Sequence, residues 1–358
     1  MSAMSAATAL LVTREEALLE GVLRLAAAAG VILEVARDTP TALRSWPGMP
    51  VVLLGTDQLP ALAAARPVRR GQVHVVGAAP VPEAAFRDAL AVGAETVAEL
   101  PAAETWLVEL LTDVADGGAD GATTVAVVGG SGGAGATTFA AALAQSGASA
   151  AHRSLLLDAD PLGGGIDRVV GLEEIEGIRW ESLMQSTGRF SSRSLREALP
   201  QRDGLAVLAW GGGPRLRLDA FTVREVLSAA QRGSDLVVVD LPRYPDQVAS
   251  EVLSRCDHVL LVAGLTVPAV AASSRVSAQL AESGRPVSLV TRGRRSALAP
   301  EEVARTLGLP LLASMPDQRR LAEWIDLGLG PVHSARGPLS RAAQSVLRST
   351  SLTAGGSR

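Results

Sequence analysis

The chain contains no lysine and no asparagine, so all 33 residues in its Lys+Arg count are arginine. That absence excludes every lysine-dependent chemistry: no Schiff base, no lysine general base, no lysine ammonium on a bound phosphate. Beside abundant alanine and glycine it reads first as coding bias, but any active site must still do without that cation. A single cysteine, Cys256, excludes an internal disulfide and fits a reducing compartment. The four histidines, His74, His152, His258 and His333, lie far apart without cysteine neighbours, which argues against a zinc site. With 33 basic against 37 acidic residues, the net charge of −4 provides no global basic field for nucleic acid or an anionic membrane. The longest apolar run, Val259–Ala272, is interrupted by Gly264, Thr266 and Pro268. It falls short of the roughly 20 residues of a membrane span. The N-terminus has no basic leader, and Arg14, Glu15 and Glu16 break its apolar stretch, so no signal peptide is expected and a soluble protein is.

What is present is a chain of 358 residues, 47% hydrophobic and 20% charged, enough for two folded domains. The boundary is expected at Ala115–Gly121, where three Gly and two Asp separate apolar periodic segments. This divides the chain into a first domain over 1–115, a linker over 116–122, a second domain over 123–348 and a polar tail over 349–358. In the first domain, apolar strands at 9–13, 31–33, 51–54, 73–76 and 95–97 alternate with helical spacing at Leu18, Val22 and Leu25 and helices over 83–91 and 104–114. Such alternation predicts parallel βαβ units in a doubly wound, flavodoxin-like α/β domain. The second domain repeats it with strands at 125–128, 155–157, 205–209, 236–239, 259–262, 287–290 and 311–313. These are short continuous apolar runs, as in buried parallel strands, and sites are expected beyond their C-termini.

The first domain resembles a response-regulator receiver in order and length, but not in its chemistry. Gly55 stands at the phosphoacceptor position, Thr13-Arg14 at the acidic pair, Gly77 at the Ser/Thr position and Leu100-Pro101 at the lysine position. Asp57 lies two residues past the strand end. The domain is therefore expected not to accept phosphate. It reads either as a protein-interaction module or as a packing appendage of the second domain.

The stretch from Thr124 to Ala141 carries the strongest signal. The apolar strand 125–128 runs into a Gly-rich turn at 129–135, followed by Ala136, Thr137, Thr138 and an Ala-rich helix. Glycines let backbone N–H groups close around an anion, and the helix start adds free N–H groups and the positive dipole end. The Thr137 and Thr138 hydroxyls can reach Mg²⁺ or phosphate. The loop Gly130-Ser131-Gly132-Gly133-Ala134-Gly135-Ala136-Thr137-Thr138 resembles the deviant Walker A loop of the MinD/ParA ATPases, Lys-Gly-Gly-x-Gly-Lys-Thr-Thr. Leu155–Pro161, with Asp158 and Asp160, resembles that family's switch I strand. Ser234–Pro242, with Asp240, resembles its Walker B strand and switch II. Cys256–Val262 with Val267-Pro268, and Leu307–Leu312 with Met315-Pro316-Asp317, look like the following core strand and the adenine-side loop.

The departures are specific. The family's signature lysine aligns with Ser131, its second lysine with Ala136, and its adenine-reading Asn-Arg pair with Thr291-Arg292. The resemblance implies ATP and Mg²⁺ as ligands. Gly130 to Thr138, Arg292 and Pro316 would line the nucleotide, Thr137, Asp158 and Asp240 would hold the metal, and Asp160 would position the attacking water. Loss of both lysines implies at most a weak ATPase. Arg243 is a candidate substitute cation, with a solvated loop charge as the other reading. A receiver-like domain fused to such a loop is similar to the CpaE branch and its actinobacterial septum-site-determining (Ssd-type) members. That resemblance implies a cytoplasmic protein, peripheral at septum or pole. Its partners would be proteins of a division machinery or of a Flp-type pilus or secretion apparatus. It leaves homodimerisation open and leaves a nucleotide-independent scaffold as the alternative. Clusters Arg66/Arg69/Arg70, Arg292/Arg294/Arg295 and Arg319/Arg320 are read as solvated faces rather than nucleic-acid patches. Leu339, Ala343, Val346 and Leu347 mark a C-terminal amphipathic turn expected to dock on its own domain rather than insert in a membrane.

Overall fold

A computed structural model describes residues 8–115, 122–185, 190–212, 217–293 and 298–350. Residues 116–121 of the expected linker, Gly213, Arg294, Arg295 and residues 351–358 of the expected tail lie outside these. The chain forms two compact units, Met1–Asp120 and Gly121–Arg358.

The first unit runs β1 (Thr8–Val12), α1 (Glu16–Ala29), β2 (Ile32–Ala36), α2 (Thr39–Ser45), β3 (Val52–Gly55), α3 (Leu59–Ala65), β4 (Val73–Ala78), α4 (Glu83–Val92), β5 (Thr96–Leu100) and α5 (Glu104–Ala115). Its five strands are parallel in the order β2-β1-β3-β4-β5. Continuous apolar runs place β1 and β3 at the centre, buried on both faces. One core lies under α1 and α5 with Leu11, Leu53 and Leu107; the other lies under α2, α3 and α4 with Leu10, Leu54 and Leu62. Gly30 and Gly93 end α1 and α4 in the left-handed conformation that returns the chain to the next strand.

The second unit runs β6 (Thr123–Gly129), α6 (Ala136–Ser149), β7 (Ser154–Asp158), α7 (Ile166–Val170), α8 (Trp180–Leu183), α9 (Ser192–Ala198), β8 (Gln201–Arg202), β9 (Leu205–Leu208), α10 (Ala220–Gly233), β10 (Leu236–Leu241), α11 (Gln247–Arg255), β11 (His258–Gly264), α12 (Val267–Ala281), β12 (Val287–Arg292), α13 (Pro300–Leu307), β13 (Leu311–Met315), α14 (Leu321–Asp326) and α15 (Pro338–Ser349). The sheet order is β13-β12-β11-β6-β10-β7-β9-β8, parallel except for the short antiparallel pair β8–β9 at one edge. Every expected strand is present, and β8 is an addition. Both units are thus α/β with doubly wound parallel sheets.

Helix α6 follows the Gly-rich turn across the middle of this sheet. Phe139 to Ala144 are all buried, because small alanines let the backbone lie close to β6 and β10 while other helices cover the outer side. One of those covers is α15, which opens on a proline and buries Leu339, Ala342, Ala343, Val346 and Leu347 in the same core. Each larger buried side chain contributes roughly 1.5–3 kcal/mol relative to exposure. The C-terminal helix therefore docks on its own unit, as its apolar face implied. Among the described residues no helix is long and apolar enough to cross a membrane. Side-chain caps by Asp219, Asp246 and Thr266 start α10, α11 and α12 at the strand ends that surround the loop.

Candidate functional site: the Gly-rich loop and its acidic foot

Strands β6, β10 and β7 are neighbours in the sheet, so their C-terminal ends open onto one edge. Register places Asp240 of β10 beside Val127 of β6 on one side and beside Asp158 of β7 on the other. This alignment brings the Gly-rich loop and the two strand-end carboxylates together.

The loop leaves β6 tied to β11, with the Gly130 N–H donating to the Val262 carbonyl at 2.9 Å. A side chain at position 130 would collide with Ser273 of α12, so glycine is required for this approach. Gly135 caps α6 with φ of 90°, a conformation that L side chains rarely adopt. No side chain caps α6. The N–H groups of its first turn, over Ala136, Thr137 and Thr138, carry the positive end of the helix dipole and suit an anion. Gly132 and Gly133 are exposed at the tip of the loop, and Ser131 and Ala136 are half-buried without any cationic group of their own.

Beneath the loop sits an acidic foot. The Asp240 carboxyl is only 3% exposed, and the Thr137 hydroxyl lies near enough to lower its pKa. Burial pushes the Asp240 carboxyl up to about 7; the Thr137 hydroxyl opposes the shift, and the charges of Asp158 and Asp160 add to it. Burial likewise raises the Asp158 carboxyl to about 6, although the N–H groups of Asp160 (3.1 Å) and Ile166 (3.2 Å) hold its oxygens. Asp160 is half-buried at the head of the following turn, where its Oδ1 accepts from the Leu162 N–H at 2.9 Å. The Trp180 indole donates to the Asp158 carbonyl at 2.7 Å and anchors that strand end from below. No lysine or arginine neutralises Asp158 or Asp240 in any ion pair among the described residues. The arrangement could accommodate a cation.

Its donors are hydroxyl and carboxylate oxygens, which fit a hard divalent ion such as Mg²⁺. Among the described residues no three carboxylate, imidazole or thiol groups form a chelating cluster by themselves. Mg²⁺ is ordinarily held by one or two carboxylates, with water and phosphate oxygens completing its shell.

Two arginines approach the loop from other elements. Arg292, at the end of β12, lays its guanidinium against Gly135, where a Cβ would collide with it, and pairs with Asp317 at 3.4 Å. Arg292, Pro316, Met315, Gly135 and Thr138 line one narrow cleft. Arg243, exposed after β10, brings Nη2 to 3.8 Å from the Cβ position of Gly132. The residues picked from the sequence thus fall into two groups. Thr137, Asp158, Asp160 and Asp240 gather at the foot, while Arg292 and Pro316 stand across Gly135.

Ser273 and Trp180 carry no signal in the sequence, and Asp317 was legible only as part of the adenine-side loop, not as the partner of Arg292. They lie on other elements at no recurrent spacing, so only the fold brings them here. Sequence reasoning also took Arg70 for a solvated charge. Arg70 instead donates to the Trp46 and Pro50 carbonyls, and burial lowers the pKa of its guanidinium.

At the corresponding strand end of the first unit the chemistry differs. The Asp57 carboxylate folds back into the space above Gly55, where a Cβ would collide with it. It accepts from the Thr13 hydroxyl at 2.8 Å, the Arg14 N–H at 2.8 Å and the Gln58 amide at 3.0 Å. This acid is satisfied within its own unit.

Comparison with known proteins agrees with this fold. Residues 12–122 match the family described as "Rv3660c-like, CheY-like N-terminal domain". The Mycobacterium tuberculosis (strain ATCC 25618 / H37Rv) protein Rv3660c is 37% identical over 332 residues, covering 90% of this chain and 92% of that protein. Among solved structures, the MinC:MinD cell division protein complex of Aquifex aeolicus is similar with 20% identity, covering 66% of this chain and 98% of that chain at a TM-score of 0.56. The septum site-determining protein MinD of Pyrococcus horikoshii OT3, complexed with Mg-ADP, is similar with 18% identity over 65% of this chain and 98% of that one, at a TM-score of 0.56. A ParA family ATPase from Chlorobium tepidum TLS has 16% identity over 63% and 97% of the two chains, at a TM-score of 0.51. The chain therefore belongs to the family of the mycobacterial protein Rv3660c, with a CheY-like N-terminal domain joined to a P-loop domain of the MinD/ParA fold.

Proposed function

We propose that this protein is a nucleotide-binding regulatory switch whose second domain, over residues 123–348, holds ATP with Mg²⁺ and hydrolyses it slowly or not at all. One observation carries the reading: Thr137, Asp158 and Asp240 converge beneath a Gly-rich loop whose two lysine positions hold Ser131 and Ala136. The backbone N–H groups from Gly130 to Thr138 would receive the phosphates. The Thr137 hydroxyl and the Asp240 and Asp158 carboxylates would hold the metal, which supplies the positive charge that the foot lacks. Asp160, at the head of the turn after β7, would orient water. With no cation at position 136 there is little to stabilise charge on a departing phosphate, so binding outlives turnover.

The output of such a switch is protein association. The family resemblance and the MinD and ParA folds support a cell-division or partition type of regulator, and the CpaE-like resemblance supports a pilus or secretion assembly as the other setting. The protein would act in the cytoplasm, peripheral to a septum or pole, with partners drawn from that assembly and with self-association through the loop face. A nucleotide-independent scaffold is the second reading, favoured by one feature: Arg292, paired with Asp317, closes the cleft beside Gly135.

Thermal unfolding with Mg-ATP separates the two. A ligand at 100 times its dissociation constant stabilises by about 2.7 kcal/mol. The switch reading expects a clear rise in Tm at millimolar Mg-ATP in the wild type and none in Thr137→Ala. An unchanged wild-type Tm establishes the scaffold instead.

A further inference from the structure

Arg243 is the unspent cation of this site. Arg292 is paired with Asp317, but among the described residues no carboxylate pairs with Arg243. Its guanidinium lies 5.9 Å from the centroid of the Tyr244 ring and reaches the exposed tip of the loop at Gly132. Arg243 and Tyr244 also form part of the wall of a cavity of about 480 Å³ between α11 and α12, with Pro242, Leu253, Val276 and Leu280. One short segment after β10 therefore touches the phosphate loop on one side and the cavity on the other.

A nucleotide laid along the loop has two ends. Arg292 and Pro316 flank Gly135 at the end where α6 begins, and Arg243 stands at the opposite end, beside Gly132. The resemblance of Met315-Pro316-Asp317 to an adenine-side loop implies a base on the Pro316 side, and the terminal phosphate would then fall nearest Arg243. A guanidinium can take two oxygens of a phosphate in a planar bidentate contact.

We infer that Arg243 is the specificity-determining residue of this site: it supplies from within the chain the charge absent at positions 131 and 136, recognises the terminal phosphate of a nucleoside triphosphate, and transmits its presence through Tyr244 to the cavity between α11 and α12. This rests on the reading of the 130–138 loop as a nucleotide seat. Binding to a diphosphate leaves Arg243 beside Tyr244. Binding to a triphosphate draws it onto the anion and changes the setting of the ring.

Calorimetric titration of the full chain with Mg-ATP and with Mg-ADP tests the first half. Arg243→Gln should weaken Mg-ATP binding by about tenfold or more, the scale of a charged hydrogen bond, and leave Mg-ADP within about twofold. Arg243→Lys should recover part of the loss. Equal weakening of both nucleotides, or no change in either, overturns the inference and leaves the nucleotide seat standing. A wild type that binds neither nucleotide at millimolar concentration overturns both.

The second half has its own readout, because Tyr244 is the only tyrosine in the chain and is 74% exposed. Nitration by tetranitromethane should change rate at least about twofold with saturating Mg-ATP but not with Mg-ADP, and the response should vanish in Arg243→Gln. Equal rates in both nucleotides overturn the coupling to the cavity.

Discussion

The two domains present the same kind of strand-end site in opposite states. In the first, Gly55 leaves a gap at the end of β3, and the Asp57 carboxylate fills it with donors from Thr13, Arg14 and Gln58. In the second, Asp158 and Asp240 are buried side by side with raised pKa values and no cationic partner among the described residues. A strand-end site can close over its own polar groups, because each satisfied donor and acceptor removes a desolvation cost. A site whose two buried acids have hydrogen-bond donors but no cationic partner keeps part of that cost. Keeping part of that cost is what the proposed ligand-dependent site in the second domain would require, whereas the first domain's acid is satisfied within its own unit.

The sharpest way to break this comparison is to neutralise each acid in turn. The Asp240 carboxyl is raised above its unfolded value, so the folded state holds the proton more tightly. Its ionisation therefore destabilises the fold as pH climbs from about 4 through about 7. Asp240→Asn should raise the stability of the ligand-free protein at pH 8, on the order of a few kcal/mol in urea unfolding, with little change at pH 4. A destabilised variant at pH 8 would place Asp240 in the same class as Asp57.

Next in size is catalysis. Wild-type ATP turnover should be at the detection limit of a phosphate-release assay, and Ala136→Lys should raise it at least about tenfold by restoring charge beside the phosphates. Ordinary turnover in the wild type, unaffected by changing Arg243, would show that the loop works by other means.

The smallest effect belongs to the first domain. Asp57→Ala should cost about 1–2 kcal/mol, because it strands the Thr13 hydroxyl and the Arg14 N–H. Acetyl phosphate with Mg²⁺ should leave residues 1–115 without an aspartyl phosphate by mass spectrometry. A modified Asp57 would make the two sites alike after all.

Much of this was legible from local pattern. Parallel strands buried on both faces must be continuous apolar runs, so every long strand appeared in the sequence. The Gly-rich turn between β6 and α6 was legible for a similar reason: only closely spaced glycines permit both the left-handed Gly135 and the close approach of Gly130 to Ser273. The two-residue β8 was not, since so short an edge strand has no periodicity of its own. Arg70 was misread because an arginine among arginines looks solvated until its carbonyl partners on other segments are known.

By itself, then, the sequence determined the two doubly wound domains, the place of the phosphate-type loop, and the absence of any lysine to serve it, because these follow from residue type and nearest-neighbour spacing. The tertiary structure alone decided which charges meet. The register of β10 beside β7 sets Asp240 against Asp158, the turn after β10 brings Arg243 to Gly132, and the end of β12 lays Arg292 on Gly135. The physical reason is that electrostatic interaction depends on separation and burial. For residues tens to more than a hundred positions apart, both are set only when the sheet is assembled.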